Sequence, residues 1–376
     1  MEQKISETGW EIRQLTQKIF AAEVTPTRQA QLDVAEYRFD EKLWQTLADA
    51  GLLGIAIPEE FGGMGLGFLE LCVLTEEVGR SVAPVPVVPV LAGAALAICE
   101  CGTAAQKQRY LPQIAAGRAL LTVALQESLA GFTDRPQTTA VRVAGGVSLS
   151  GRKVAVPLAD RAERILVNAT LEDGIALFLL DPAANGVVLE PQVSTTREPW
   201  FALSMQDVLV PASDCLLLEM APERVSGRVI EQLVAAYCVM QAGVVDAMLE
   251  MTARYTCTRE QFGVPVGSFQ AVQHRAAAGF IERICLQQTA WQAASLLAAG
   301  KEATTELLIA KGWAGDAGHR MSCAAQHLHG GAGIDRAYPL WRYCLWARQL
   351  EMVFGPSTAQ LAVLGRQIAE GSAFAQ

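Results

Sequence analysis

The sequence predicts an α+β chain in three blocks: an N-terminal all-α domain over residues 1–118, a middle antiparallel β-barrel or sandwich domain over 119–222, and a C-terminal helical bundle over 223–376. Two changes of hydrophobic period carry this reading. Apolar residues recur at helical spacing up to about residue 118, at a period of two from Leu120, and at helical spacing again from Val225 to the end. The length of 376 residues agrees with two or three domains.

In the first block, Leu43, Leu47, Ala50 and Leu52 follow a helical stripe that stops at Gly51 and Gly54. A turn-rich segment follows Pro58, then a helix over Phe68–Val78, a Pro-Val segment over Pro84–Pro89 that reads as an extended linker, a helix over Leu91–Cys99, and a short helix ending at Gly117. In the second block, LLTVALQ, TTAVRVAG, VSLSGRKVAV, RILVNATL, IALFLLD, VVLEPQV and MQDVLVP read as strands, with Gly145-Gly146 as a hairpin turn. In the third, Ile230, Leu233, Tyr237, Met240, Val244, Met248, Met251 and Tyr255 keep three-four spacing. Helices over Ala271–Ala299, Thr304–Leu328, Leu340–Val353 and Ser357–Glu370 complete a bundle of near-antiparallel members.

Composition bounds the function. Hydrophobic residues make up 51% and charged residues only 18%, which points to large cores and an oligomer interface. A net charge of −9 argues against an electrostatic nucleic-acid binder. The 9 cysteines have no metal-ligand spacing and read as reduced, buried thiols of a cytoplasmic protein. The polar start is no signal peptide, and no apolar run is expected to span a membrane.

Two stretches carry candidate binding chemistry. At the end of a long helix, Arg259 can hold a pyrophosphate bidentately, or cap the helix and pair with Glu260 or Asp246. From Gln326 to Ser357, Gly330 and Gly331 let backbone approach a ligand, and the break at Gly355-Pro356 frees helix-end groups. His327 reads either as a hydrogen-bond donor to that ligand or as a solvent-facing loop histidine. Small residues on the first bundle helix, Ala235, Ala236 and Gly243, serve close helix packing or leave room for a bulky ligand.

This plan, with the stretches at 43–67, 259–274 and 326–357, resembles the acyl-CoA dehydrogenase family. The resemblance implies a flavoprotein with FAD as cofactor, an acyl-CoA thioester as substrate, and electron-transfer flavoprotein as electron acceptor. A glutamate takes the α-proton and flavin N5 takes the β-hydride. It further implies active sites between subunits, with the ADP half of FAD clasped by a neighbour through Arg259, Gln261, Phe262, Phe269, Gln270, His327, Gly330 and Gly331.

The family's catalytic positions are altered. Counting 24 residues on from Gly330 gives Phe354, and counting 26 back from Arg259 gives Leu233, so both base positions are apolar. Glu231 and Glu351 lie nearby but read as solvent-facing. The flavin-lining run of relatives aligns with Gln126–Phe132, and their aromatic and hydroxyl residues align with Ala155 and Pro157. The residues that reach a neighbour's FAD are mostly kept, while those that hold the chain's own flavin are changed. The resulting expectation is a non-catalytic subunit of an α2β2 acyl-CoA dehydrogenase of the steroid or bile-acid side-chain branch, paired with a homologous companion. Two rivals stand beside it: an active homo-oligomer with Glu231 or Glu351 as a displaced base, and a flavin-free scaffold of the same fold.

Overall fold

The computed structural model describes residues 5–127, 135–172, 174–216 and 222–371. Six α-helices come first: α1 (Glu7–Glu23), α2 (Pro26–Val34), α3 (Glu41–Asp49), α4 (Phe68–Ser81), α5 (Leu96–Cys101) and α6 (Ala104–Ala115). Their starts follow side-chain capping. Ser6, Thr25 and Asp40 each accept a backbone N–H of the first turn, Pro26 sits at the start of α2, and Thr103 with Gln106 forms a capping box. The Pro-Val segment, expected as an extended linker, packs into the core and turns helical at its end. Val85, Val87 and Val88 are buried, and Val88–Ala95 winds as a wide π-type helix leading into α5. Pro89 is tolerated because first-turn N–H groups have no intrahelical acceptor.

The middle block is a seven-stranded sheet of β1 (Leu121–Ala124), β2 (Thr139–Val143), β3 (Gly146–Pro157), β4 (Arg164–Leu171), β5 (Gly174–Leu180), β6 (Val187–Gln192) and β7 (Trp200–Pro211). The expectation of an antiparallel sheet needs correction, because the sheet is mixed. Strand β4 pairs antiparallel with β5 along one edge, and parallel with β1 and then β2 along the other. The chain therefore leaves the sheet after β1 and re-enters it at β2 on the same edge. Two bulges interrupt β3 against β7, the second between Lys153 and Val156.

Five helices follow: α7 (Pro222–Thr258), α8 (Gln270–Ala298), α9 (Thr304–His329), α10 (Leu340–Met352) and α11 (Ser357–Ala369). A two-residue hairpin, β8 (Glu260–Gln261) and β9 (Val264–Pro265), joins α7 to α8. Helix α7 corrects one expectation. Its stretch Gly227–Thr258 is long and apolar enough to cross a membrane, yet 89% of its most apolar window is buried inside the protein. It is the core helix of the bundle. One hydrophobic core runs continuously through both helical blocks, and a second fills the sheet. The cysteines are free as expected, but Cys257 and Cys323 are exposed rather than buried.

Gly243 settles into the packing role. A Cβ there would lie 2.0 Å from the Glu76 carbonyl oxygen, and one at Gly79 would lie 2.0 Å from that of Met240. Helices α4 and α7 thus touch backbone to backbone. A buried ionic cluster joins the three blocks nearby: Asp33 of α2 accepts from Arg342 of α10, with Nε at 3.0 Å, and pairs with Arg38 at 3.3 Å. Arg38 in turn donates to the Thr196 carbonyl before β7, at 3.2 Å.

The same substitution should have opposite effects at two helical glycines. Gly243→Ala forces α4 off α7 and should cost about 1–3 kcal/mol. Gly312→Ala in α9, where no atom lies within 4 Å of the added methyl, should be neutral or stabilise by up to roughly 1 kcal/mol. Chemical denaturation of the two variants checks the pair.

Candidate functional site

The residues expected to clasp FAD lie at and just beyond the C-terminal ends of α7 and α9. The β8–β9 hairpin turns through Phe262 and Gly263, with φ of 56° and 80°. Positive φ at both central positions is a type I′ turn, which matches the twist of a two-residue hairpin. A phenylalanine rarely takes this conformation, and here its side chain is 94% exposed. Its ring packs edge-on against Phe269, 6.3 Å away, which caps the start of α8. Gln261, Gln270 and His327 are also exposed, although the Gln261 amide folds back onto the Glu260 carbonyl at 2.7 Å.

Arg259 does not make the ion pairs considered from the sequence. Asp246 is held instead by Arg80 and by Arg283, the latter at 2.6 Å. Among the described residues, no hydrogen bond or ion pair engages the Arg259 guanidinium, and the side chain is exposed. Gly330 ends α9 with φ 58° and ψ −134°, a conformation open in practice only to glycine. No atom lies within 4 Å of where a Cβ would stand at Gly330 or Gly331. An exposed free guanidinium, an exposed aromatic and a side-chain-free turn are what an anionic, aromatic ligand such as the ADP half of FAD requires.

Three residues missed in the sequence bring these pieces together. Tyr255, one turn before Arg259, stacks on His329, which directly precedes Gly330; the ring centroids are 4.3 Å apart. Tyr338 closes on both rings. Burial pushes the His329 imidazole below its usual range, against the pull of the Ala325 carbonyl. The signal available was positional, two aromatic residues each adjacent to a flagged motif.

The corner after α10 holds the position that the family resemblance assigns to the base. Phe354 is buried at φ 56°, with its ring 6.3 Å from Tyr237. Its N–H donates to Gln126 Oε1 at 3.0 Å. The corner is fixed from below: Gln360 donates to the Phe354 and Gly355 carbonyls, and Lys311 donates to the Leu350 and Glu351 carbonyls. The two spare glutamates are not solvent-facing. Glu351 is only partly exposed and pairs with Arg348. Glu231 accepts from the Thr304 hydroxyl, and burial raises its carboxyl above the usual range. Leu233 is fully buried against Gly93.

The segments that the family resemblance aligns with a flavin lining are described only in part. Ser128, Leu129, Ala130, Gly131 and Phe132 lie outside the described residues. Of the rest, Glu127 makes a buried ion pair with Lys153 at 2.7 Å and accepts from the Thr138 N–H and hydroxyl. Burial draws Lys153 down to about 8, while Lys153 and Thr138 outweigh burial and hold Glu127 below its usual range. This pair anchors the segment from which Gln126 reaches Phe354. Ala155 sits in the second bulge at φ 55°, and its N–H is taken by Gln192 Oε1 at 2.8 Å. Pro157 has no N–H. Pro157, Leu158, Trp200, Tyr237, Trp346 and Leu350 help line an apolar cavity of about 50 Å³. Sites for cofactor-sized ligands run to roughly 300–1,000 Å³. The described part of these segments offers an isoalloxazine no free N–H at Ala155 or Pro157.

Known proteins resemble this chain over nearly its whole length. The models "Acyl-CoA dehydrogenase, N-terminal domain" and "Acyl-CoA dehydrogenase, C-terminal domain" match residues 6–118 and 230–369. Acyl-CoA dehydrogenase FadE27 of Mycobacterium tuberculosis is 34% identical over 98% of this chain and 99% of its own length. FadE28 of the same organism is 32% identical over 91% and 97%. Among solved structures, a chain of a variant of the Tcur3481–Tcur3483 steroid ACAD superposes with a TM-score of 0.90 at 41% identity, covering 98% of this chain and 99% of that one. A chain of the ChsE4–ChsE5 complex from Mycobacterium tuberculosis gives 0.91 at 34%, with coverage of 98% and 99%. The chain belongs to the acyl-CoA dehydrogenase family, whose cofactor is FAD.

Proposed function

We propose that this chain is the non-catalytic partner subunit of a heteromeric, cytoplasmic acyl-CoA dehydrogenase, α2β2 in composition. The enzyme introduces a Cα–Cβ double bond into an acyl-CoA carrying a bulky, steroid-type acyl group. The companion chain supplies the glutamate and the flavin pocket, and electron-transfer flavoprotein takes the electrons. The observation that carries this reading is the contrast between two ends of one segment. Gly330 and Gly331 are open to a ligand, whereas Phe354 fills the base position and is hydrogen-bonded shut. The steroid-type substrate and the unlike partner rest on what the two solved relatives are described as, a steroid ACAD and a two-component complex.

In this assembly FAD supplies the hydride acceptor. This chain's part is binding. Arg259 pairs with the pyrophosphate of the companion's FAD, Phe262 and Phe269 border the adenine, and His327 donates a hydrogen bond. The bare backbone at Gly330 and Gly331 allows close approach of the ADP half. Removal of the α-proton falls to the companion, because this chain has no free carboxylate at either base position.

Arg259→Ala in the co-expressed complex should weaken FAD binding by roughly 10- to 100-fold, the loss expected of a charge-assisted bidentate contact. FAD titration of the stripped complex reads this, and an unchanged affinity would discard the clasp. Phe354→Glu should fail to make the isolated chain yellow or active with acyl-CoA and a dye. It should also lower the melting temperature, because the new carboxylate is buried beside Tyr237. A yellow, active Phe354→Glu chain would favour the homo-oligomer with its own site.

A further inference from the structure

Resting on the clasp reading above, we propose that His329 is a positioning residue that couples its two halves. It locks the Arg259 hairpin to the Gly330-Gly331 turn so that both meet one FAD. The two halves come from elements far apart in sequence, the ends of α7 and α9. Arg259 is fixed to α7 by its N–H, which donates to the Tyr255 carbonyl at 2.8 Å. Its own carbonyl accepts from Val266 at 2.8 Å and closes the hairpin. Any shift of Tyr255 therefore moves Arg259. Gly330 is likewise fixed to α9, its N–H donating to the His327 carbonyl.

Between these anchors lies the Tyr255–His329–Tyr338 cluster. The Tyr255 and His329 rings are 4.3 Å apart and 25° from parallel, so they are stacked. His329 Nδ1 is 2.8 Å from the Ala325 carbonyl, and Nε2 is 3.2 Å from the Tyr338 hydroxyl. The carbonyl can only accept, so Nδ1 carries the proton of the neutral ring. Nε2 is then the acceptor, and the Tyr338 hydroxyl donates to it. This arrangement fixes the ring in rotation as well as in place. A phenylalanine could reproduce the stack but neither hydrogen bond.

A double-mutant cycle in the co-expressed complex tests the coupling, with FAD as the titrated ligand and melting temperature as the control for folding. His329→Phe should weaken FAD binding roughly tenfold. With Arg259→Ala already present, the same change should cost little, because the residue it positions is gone. Tyr338→Phe removes one hydroxyl and should give the same non-additivity at smaller size, which covers a His329 variant that folds poorly. Full additivity in the Tyr338 cycle, or unchanged affinity in both single variants, overturns the coupling. If Arg259→Ala alone leaves FAD binding intact, the clasp reading itself fails, and the two failures are thereby distinguished.

Discussion

Helix α7 constrains the rest of the structure. It is buried along most of its length, and at Gly243 it meets α4 with no side chain between the backbones. That contact requires a glycine on each helix, because an added methyl would lie within 2.0 Å of a carbonyl oxygen at either. With α7 fixed in depth, Leu233 is set beside Gly93 and Tyr237 beside Phe354. Tyr255 and Arg259 are set at the far end, beside the end of α9. Both functional statements about this chain, one negative and one positive, are read along one helix.

The negative statement rests on several independent changes. Loss of a base could in principle be repaired by a neighbouring carboxylate. Here Glu351 is held by Arg348, and Glu231 by Thr304. Opening the corner would break the Gln126–Phe354 hydrogen bond and separate Phe354 from Tyr237. A flavin placed there would also meet an engaged Ala155 N–H and a proline. Each polar edge left unpaired in a dry pocket costs about 1–3 kcal/mol. On the other face, strain is retained where it serves exposure. Phe262 holds a positive φ and leaves its ring in solvent, which no core-packing argument explains.

Much of this was legible in the sequence because it depends on period and on residue type. The three blocks follow from the period changes, and strand β4 matches the apolar run RILVNATL residue for residue. Arg259, Gly330 and Gly331 could be singled out as a charge and two missing side chains, whereas Phe354 stood out only through the family resemblance, as a ring where relatives carry an acid. What was not legible depends on distant pairs. Parallel pairing of β1 and β2 with β4 leaves no trace in alternation, since either direction buries the same face. The Pro-Val segment looked like a linker because proline blocks regular hydrogen bonding, yet its valines made it core. The Gln126–Phe354 bond spans 228 residues and the Tyr255–His329 stack joins two helices, so neither is encoded in spacing.

The central claim is that this chain clasps a cofactor it does not itself hold. Native mass spectrometry of the assembly, purified with its homologous companion, counts FAD against chains directly. The account predicts one FAD per two chains, and none on this chain purified alone. One FAD per chain, or FAD retained by this chain in isolation, would contradict it.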